Sequence, residues 1–526
     1  MTRTAEGRTV VVIGSGPNGL VAANLLADAG WQVEVLESQD RPGGAVASAE
    51  DVAEGFVHDT FSSFYPFAAA SPAISRLGLE EFGLRWRHAP AVLGHPLPSG
   101  EWALLHRDAE KTAADLDRHQ PGDGQAWLEL CRQWGIVGPS LTRALLAPFP
   151  PVRAGIGVLA RLPKVGGLDF VRMLIEPARS LVESRFRSEA ARLLLAGNAM
   201  HVDIAMTAPG SGLFGVLLAM LGQTVGFPVP EGGAGRLATA LTDRLSSRGG
   251  VIRLGVRVER ILTEGGHVTG VVASDGEHRR VRAVVADVAA PALYGGLVPW
   301  SELPAKVATR MARFELDPAT VKVDWALSSS IPWTNAPALS PGTIHLADSV
   351  DDLQSSMDLV GAHVVPAKPF LLMGQMTTAD STRSPAGTES VWAYARVPQT
   401  VHADEGDEVR GTWDESEIER FADRMQARVE KYAPGFGSRV IARRVLGPRQ
   451  LQERNENLIN GALNGGTANL HQQLIFRPIP GLGRAETPIG GLFLASAAAH
   501  PGGGVHGACG ANAARALLVA ARLGRL

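Results

Sequence analysis

The sequence predicts an α/β fold: a discontinuous, Rossmann-like dinucleotide-binding domain with an inserted mixed α+β substrate domain. Three observations predict it. A buried strand, a Gly-x-Gly-x-x-Gly turn, an Ala-rich helix and a second strand follow one another at the start. A second dense α/β stretch begins at Val229. The end of the chain repeats the opening style, with strand, Gly cluster and Ala-rich helix. The dinucleotide domain is therefore drawn from 1–74, 226–295 and 485–526, around a largely helical region at 75–225 and a substrate domain at 296–484.

Thr9 to Ile13 is a continuous β-branched run, as expected of a strand covered on both faces. Leu20 to Ala29 reads as a helix closed by Gly30, and Gln32 to Leu36 alternates like a strand that ends at Glu37. Ser71 to Pro228 is mostly helical in pattern, with Pro and Gly breaks. Leu237 to Leu245 reads as a helix. Val251 to Leu254, Arg257 to Leu262, Val268 to Ala273 and Val281 to Ala286 read as strands separated by Gly turns. Val391 to Val397 alternates like a strand. Gly491 to Ala495 is the last strand, and a helix follows from about Gly510.

Composition excludes several classes. The chain has 526 residues, 45% hydrophobic and 20% charged, with a formal net charge of −3. These are globular values, and there is no basic excess with which to neutralise nucleic acid. The two cysteines, Cys131 and Cys509, are far apart. They make neither a disulfide framework nor a redox pair, and they suit a reducing cytoplasm. The opening residues lack a signal-peptide core, and no apolar run is long enough to span a bilayer.

Gly14-Ser15-Gly16-Pro17-Asn18-Gly19 follows the first strand directly. The glycines permit a tight turn, close backbone approach to a pyrophosphate and close helix packing, and the helix N-terminus offers unpaired N–H groups. Glu37 stands where a carboxylate receives ribose hydroxyls and repels a 2′-phosphate. Arg41-Pro42-Gly43-Gly44 comes next. A second Gly pair directly after the acid has a use in a flavin dinucleotide site, with Arg41 adding charge for the phosphates. Read by itself it is a surface turn.

These residues carry a resemblance. The string VVVIGSGPNGLVAANLLADAGWQVEVLESQDRPGGA resembles the phytoene desaturase-like FAD oxidoreductases of the amine-oxidase superfamily. So do Val229-Pro230-Glu231-Gly232-Gly233 with the strands to Ala286, Ser381 to Gly387, Arg477-Pro478, Thr487-Pro488-Ile489, and Gly491 to Val505. Within that family the sequence is most similar to the subgroup described as pyridine nucleotide-disulfide oxidoreductase domain-containing protein 2. The resemblance implies non-covalent FAD, with backbone near Val258 on its adenine side and Gly503, Gly504 and Val505 at the flavin ring. It implies an oxidoreductase, with residues 75–225 matching nothing that names a substrate. The absence of a Cys pair argues against disulfide reduction.

The leading function is a dehydrogenase or desaturase that moves a hydride from an apolar C–H bond to flavin N5. An amine or amino-acid oxidase, an FAD-dependent isomerase and an interaction protein that retains FAD are the alternatives. His500 and His506 flank the last Gly cluster, and Tyr65 lies in the stretch after Gly55-Phe56. All three are candidates for acid–base work, and each also reads as a structural residue. No carboxylate or Cys completes a metal set with the two histidines. His201-Val202-Asp203 reads as a buried hydrogen-bonded pair. Only one dinucleotide fingerprint is present, so NADH and NADPH are expected to be poor reductants. O₂, a quinone or another small acceptor is expected to take the electrons. Leu141 to Leu168 mixes apolar and basic residues. It fits peripheral contact with a lipid headgroup layer, and it fits a helical wall of the substrate domain broken by Pro148, Pro150 and Pro151.

Overall fold

A computed structural model describes residues 8–526. The first strand, β1 (Thr9–Ile13), leads into helix α1 (Pro17–Asp28) and then strand β2 (Gln32–Leu36). β1 lies inside a five-stranded sheet in the order Leu492–Leu494, Val284–Ala286, β1, β2, Val251–Arg253. Every neighbouring pair in it runs parallel. The period of two along β1 shows why this run is a strand. Val10 and Val12 pack among α1, the helix Gly235–Ser247 and the final helix Ala508–Arg522, while Val11 and Ile13 face the opposite core. That opposite core is built on the three-stranded sheet of Val258–Glu264, His267–Ala273 and His278–Arg279. Both faces are covered, so neither face of the run is polar.

A seven-stranded sheet forms the other half of the molecule. Its order is Val440–Leu446, Ala319–Leu327, Glu389–Val397, Leu371–Gln375, Pro341–Leu346, Ala91–Pro96, Trp102–Leu105. It is mixed, because Pro341–Leu346 pairs parallel with Ala91–Pro96 and the other neighbours are antiparallel. The helix Glu415–Tyr432 covers one face with Phe421, Met425 and Val429, and the helices between Ala109 and Thr224 cover the other.

The sheet departs from expectation at 91–105. This stretch belongs to the region read as helical, yet it forms two strands. Gly94, Pro96, Pro98 and Gly100 mask the pattern locally. Pairing with Pro341–Leu346, about 250 residues away, decides it. The final helix begins at Ala508, two residues earlier than the sequence indicates.

Candidate active site

The site is built where two helix N-termini meet. A Cβ added at Gly510, in the first turn of the final helix, would lie 1.8 Å from the carbonyl oxygen of Asn18 in the first turn of α1. The positive ends of both helices therefore converge on one place, which suits an anionic ligand. A Cβ on Gly19 would lie 2.3 Å from the Gly14 carbonyl, so the turn closes only with glycine there.

Glu37 is 7% exposed, and its carboxylate is held by Ser15 and Gln39. Its Oε2 accepts the Ser15 N–H at 2.8 Å and the Ser15 hydroxyl at 2.7 Å, and its Oε1 accepts the Gln39 N–H at 2.9 Å. Gly43 N–H donates to Ser15 O at 3.0 Å, which seats the second Gly pair against the first cluster. Arg41 is exposed in the turn between them. Val256 N–H donates to Glu37 O at 2.8 Å, so the strand that opens with the buried Val258 starts beside the end of β2.

A second carboxylate, not singled out in the sequence, completes this corner. Asp287 follows the strand Val284–Ala286 and is buried. Its Oδ2 accepts the Gly19 N–H at 2.8 Å, and a Cβ on Gly16 would lie 2.6 Å from that oxygen. Burial, with the Glu37 charge adding to it, pushes its carboxyl up to about 7. One signal was available: an acid ends this strand as Glu37 ends β2.

The last Gly cluster lies against the loop 463–467, which the sequence reading did not include. A Cβ on Gly503 would lie 2.7 Å from the Asn464 Oδ1, and one on Gly502 would lie 3.2 Å from the Arg477 Nε. Gly504 is exposed, 3.5 Å from Phe67 by the same measure, and Val505 packs on the core around α1.

Residues 12–77 match the NAD(P)-binding Rossmann-like domain, and residues 164–384 match the family described as flavin containing amine oxidoreductase. The chain is 29% identical to "Pyridine nucleotide-disulfide oxidoreductase domain-containing protein 2" of Mus musculus, over 96% of this chain and 92% of that protein. It is 23% identical to "Phytoene desaturase (lycopene-forming)" of Pantoea ananas, over 97% of this chain and 99% of that one. Its fold resembles cyclohexylamine oxidase from Brevibacterium oxydans IH-35A with a TM-score of 0.57 at 17% identity, covering 99% and 100% of the two chains. This chain is an FAD-dependent oxidoreductase.

The oxidoreductase's own residues fit FAD. Buried polar atoms normally have partners. Among the described residues, Asn18 Oδ1, Thr60 Oγ1, Ser63 Oγ, Asn464 Nδ2 and His500 Nδ1 are among the buried atoms that have none. They belong to segments that converge on the site. Asn18 opens α1, Thr60 N–H bonds to Ala47 O three residues past the second Gly pair, Asn464 abuts Gly503, and His500 stands two residues before Gly502. A long, polar, partly anionic cofactor is the kind of group that unpaired donors and acceptors on several such segments accommodate.

The candidate acid–base residues hold the surrounding turns. Tyr65 is buried. Its hydroxyl donates to Ser62 O at 2.8 Å, and burial raises it above the ordinary phenol range. His506 Nδ1 accepts the Ala508 N–H at 3.0 Å, capping the final helix, and burial pushes its imidazole down to about 4. The Nε2 of His500 lies 3.0 Å from Ala147 O, and burial lowers its pKa as well. His201 and Asp203 do not pair with each other as expected. The Nε2 of His201 meets the Nε2 of His345 at 2.9 Å, while Asp203 receives the Thr467 hydroxyl at 2.5 Å and the Ala468 N–H at 2.8 Å. Among the described residues, no group of three His, Cys, Asp or Glu is placed to hold a metal ion.

Proposed function

We propose that the oxidoreductase is a dehydrogenase or desaturase acting on an uncharged, apolar small molecule, with O₂, a quinone or another small compound as electron acceptor. Bound FAD supplies a hydride acceptor at N5. The residues of the chain bind, orient and shield. Gly14, Gly16, Pro17, Asn18 and Gly19 receive the pyrophosphate at the N-terminus of α1, with Arg41, Gly43 and Gly44 beside it. Glu37 receives the ribose, with its bond from the rotatable Ser15 hydroxyl the one to be exchanged, and Val258 lies toward the adenine. Gly503, Gly504 and Val505 face the flavin pyrimidine edge, where Asn464 adds an amide donor. His500 keeps an unpaired Nδ1 and is the side chain we assign to proton handling. His506 and Tyr65 position the segments around it.

The observation that carries the substrate reading is the state of the buried carboxylates. Asp59 is paired with Arg383 at 2.8 Å and Asp324 with Lys322 and with Arg444 at 2.7 Å. Asp317 accepts only backbone N–H groups, and Glu389 accepts from Thr377 and Thr378. Asp59 and Asp324 already hold cations, and Asp317 and Glu389 are occupied by N–H and hydroxyl donors, so a substrate ammonium would have to displace an existing partner at each, which is costly in a buried site. This supports a neutral substrate over an amine.

Non-covalent FAD is supported by Cys509. Its thiol is buried against the carbonyls of Ala499 and Gly502, and burial pushes it up to about 12, leaving no thiolate to attack the flavin. Cys131 and Cys509 are both free, which favours a reducing, cytoplasmic setting. No helix among the described residues is long and apolar enough to cross a membrane. Peripheral membrane contact is part of the reading. Anaerobic mixing of the FAD-loaded protein with polyenes and terpenoids on one side, and primary amines on the other, tests it by flavin absorbance. Bleaching by an apolar compound is expected, whereas bleaching by amines alone would replace the reading with an amine oxidase.

A further inference from the structure

The exposed apolar surface is concentrated in one place. Sixteen large hydrophobic side chains are exposed among the described residues, and nine of them lie on three segments: Val152–Leu159, Leu168–Ile175 and the turns at 470–476. These segments are far apart in sequence but joined in space. Gly210 N–H donates to Ile175 O at 2.9 Å, and a Cβ on Gly210 would lie 3.3 Å from the Leu470 side chain. A Cβ on Gly483 would lie 2.4 Å from the Ile475 Cα, and the neighbouring Arg484 Nε donates to Phe149 O at 3.1 Å. Phe149 leads back into Val152–Leu159. The contacts thus close a ring of apolar segments.

The helix Val152–Leu159 is turned inside out. Val152, Ile156 and Leu159 stand at the spacing of one helical face, are 63%, 61% and 66% exposed, and no residue of this helix is buried. A helix normally turns that stripe to the core, and a patch this concentrated marks an interaction surface. Its rim is basic. Arg143, Arg153, Arg161, Lys164 and Arg172 are exposed, against the single exposed acid Asp169 over 143–175, in a chain of net charge −3.

We propose that this ring is the docking surface for an anionic phospholipid bilayer. The apolar side chains enter the acyl boundary and the cations meet headgroup phosphates. A second copy of the chain fits less well, because an isologous contact sets the same basic rim against itself. The ring also adjoins the site. Phe149 meets His500 edge to face at 6.2 Å, two residues before Gly502. Resting on the proposed function, an apolar substrate dissolved in the bilayer is then delivered beside the flavin turn without crossing bulk water.

Flotation of FAD-loaded protein with phosphatidylcholine vesicles, with and without phosphatidylglycerol, tests the docking. The protein is expected to float with the anionic vesicles at low salt and to be released by high salt. Ile156→Glu with Leu159→Glu, and separately Leu474→Glu with Phe476→Glu, are expected to cut the floated fraction severalfold while FAD content and circular dichroism stay unchanged, these side chains being exposed. Protein that remains soluble beside anionic vesicles, or variants that float like the parent, would overturn the proposal. A parent dimer that Ile156→Glu converts to monomer would assign the ring to a second copy instead. FAD content is read on the same samples, so a failure of the flavoenzyme reading shows separately.

Discussion

Asp317 and Arg477 grip one loop from its two sides. The Asp317 carboxylate accepts the N–H groups of Leu463, Asn464 and Gly466 at 2.9 to 3.3 Å. The Arg477 guanidinium donates to the carbonyls of Asn464, Gly466, Thr467 and Ala497 at 2.8 to 3.3 Å. Both side chains are buried, and neither is ion-paired among the described residues. The loop between them presses on Gly503, so two buried charges of opposite sign set one wall of the last Gly turn through peptide groups alone.

Arg477→Lys keeps the charge and loses the fork that reaches several carbonyls. We expect a loss of about 2–4 kcal/mol in unfolding free energy, because buried acceptors lose their donors. Weaker FAD binding is expected with it. Chemical unfolding of the FAD-free protein and a flavin fluorescence titration measure the two effects. Unchanged values in both would show that the loop holds itself.

Asp287 is expected to give FAD binding a pH dependence. Burial, with the Glu37 charge adding to it, pushes its carboxyl up to about 7 in the folded chain. A folded-state pKa above the unfolded value means that its contribution to stability is fully present below about 3.9 and is lost as pH rises through about 7. Above that pH the charged group also repels a phosphate at the N-terminus of α1. FAD affinity is expected to fall from pH 6 to pH 8 in the parent and to stay flat in Asp287→Asn. Titrations at both pH values check it, and parallel curves for the two proteins would exclude Asp287 as the cause.

Glu37→Ala removes a charged acceptor from the position proposed to receive the ribose. FAD binding is expected to weaken by roughly 1–3 kcal/mol. Equilibrium dialysis of FAD against parent and variant measures this, and equal affinity would move the ribose ligand elsewhere.

Gly510→Ala inserts a Cβ where only 1.8 Å separates it from Asn18 O. The two helix N-termini must part, at a cost of about 1–3 kcal/mol. FAD retention through gel filtration is expected to fall. Gly276→Asn, at an open turn with positive φ, is the control and is expected to behave as the parent. Full retention in Gly510→Ala would mean that the helix junction is not part of the cofactor site.

NADH and NADPH are expected to leave the oxidised flavin unbleached under anaerobic conditions. The parallel sheet carries one strand-turn-helix unit with the Gly-x-Gly-x-x-Gly spacing, between β1 and α1. Stopped-flow absorbance decides the matter, and rapid bleaching by either nucleotide would turn the enzyme into a reductase.

The local sequence determined the units whose signal lies within a few dozen residues. β1, α1, β2 and Glu37 are legible because a doubly covered strand, a Gly turn and a terminal acid are local patterns. The Gly43–Gly44 pair and the final strand and helix are legible for the same reason. Tertiary structure alone decided the rest. Asp287 reaches Gly19 across 268 residues, and a carboxylate at a strand end does not announce which helix it will meet. Loop 463–467 reads as Asn-Gly turns until Asp317 and Arg477 close on it. The strands at 91–105 contain too many Gly and Pro to be read without their partner strand. The apolar ring exists only because three separate segments come together. In each case the deciding free energy comes from pairing or burial between distant residues, and periodicity within one segment carries no record of it.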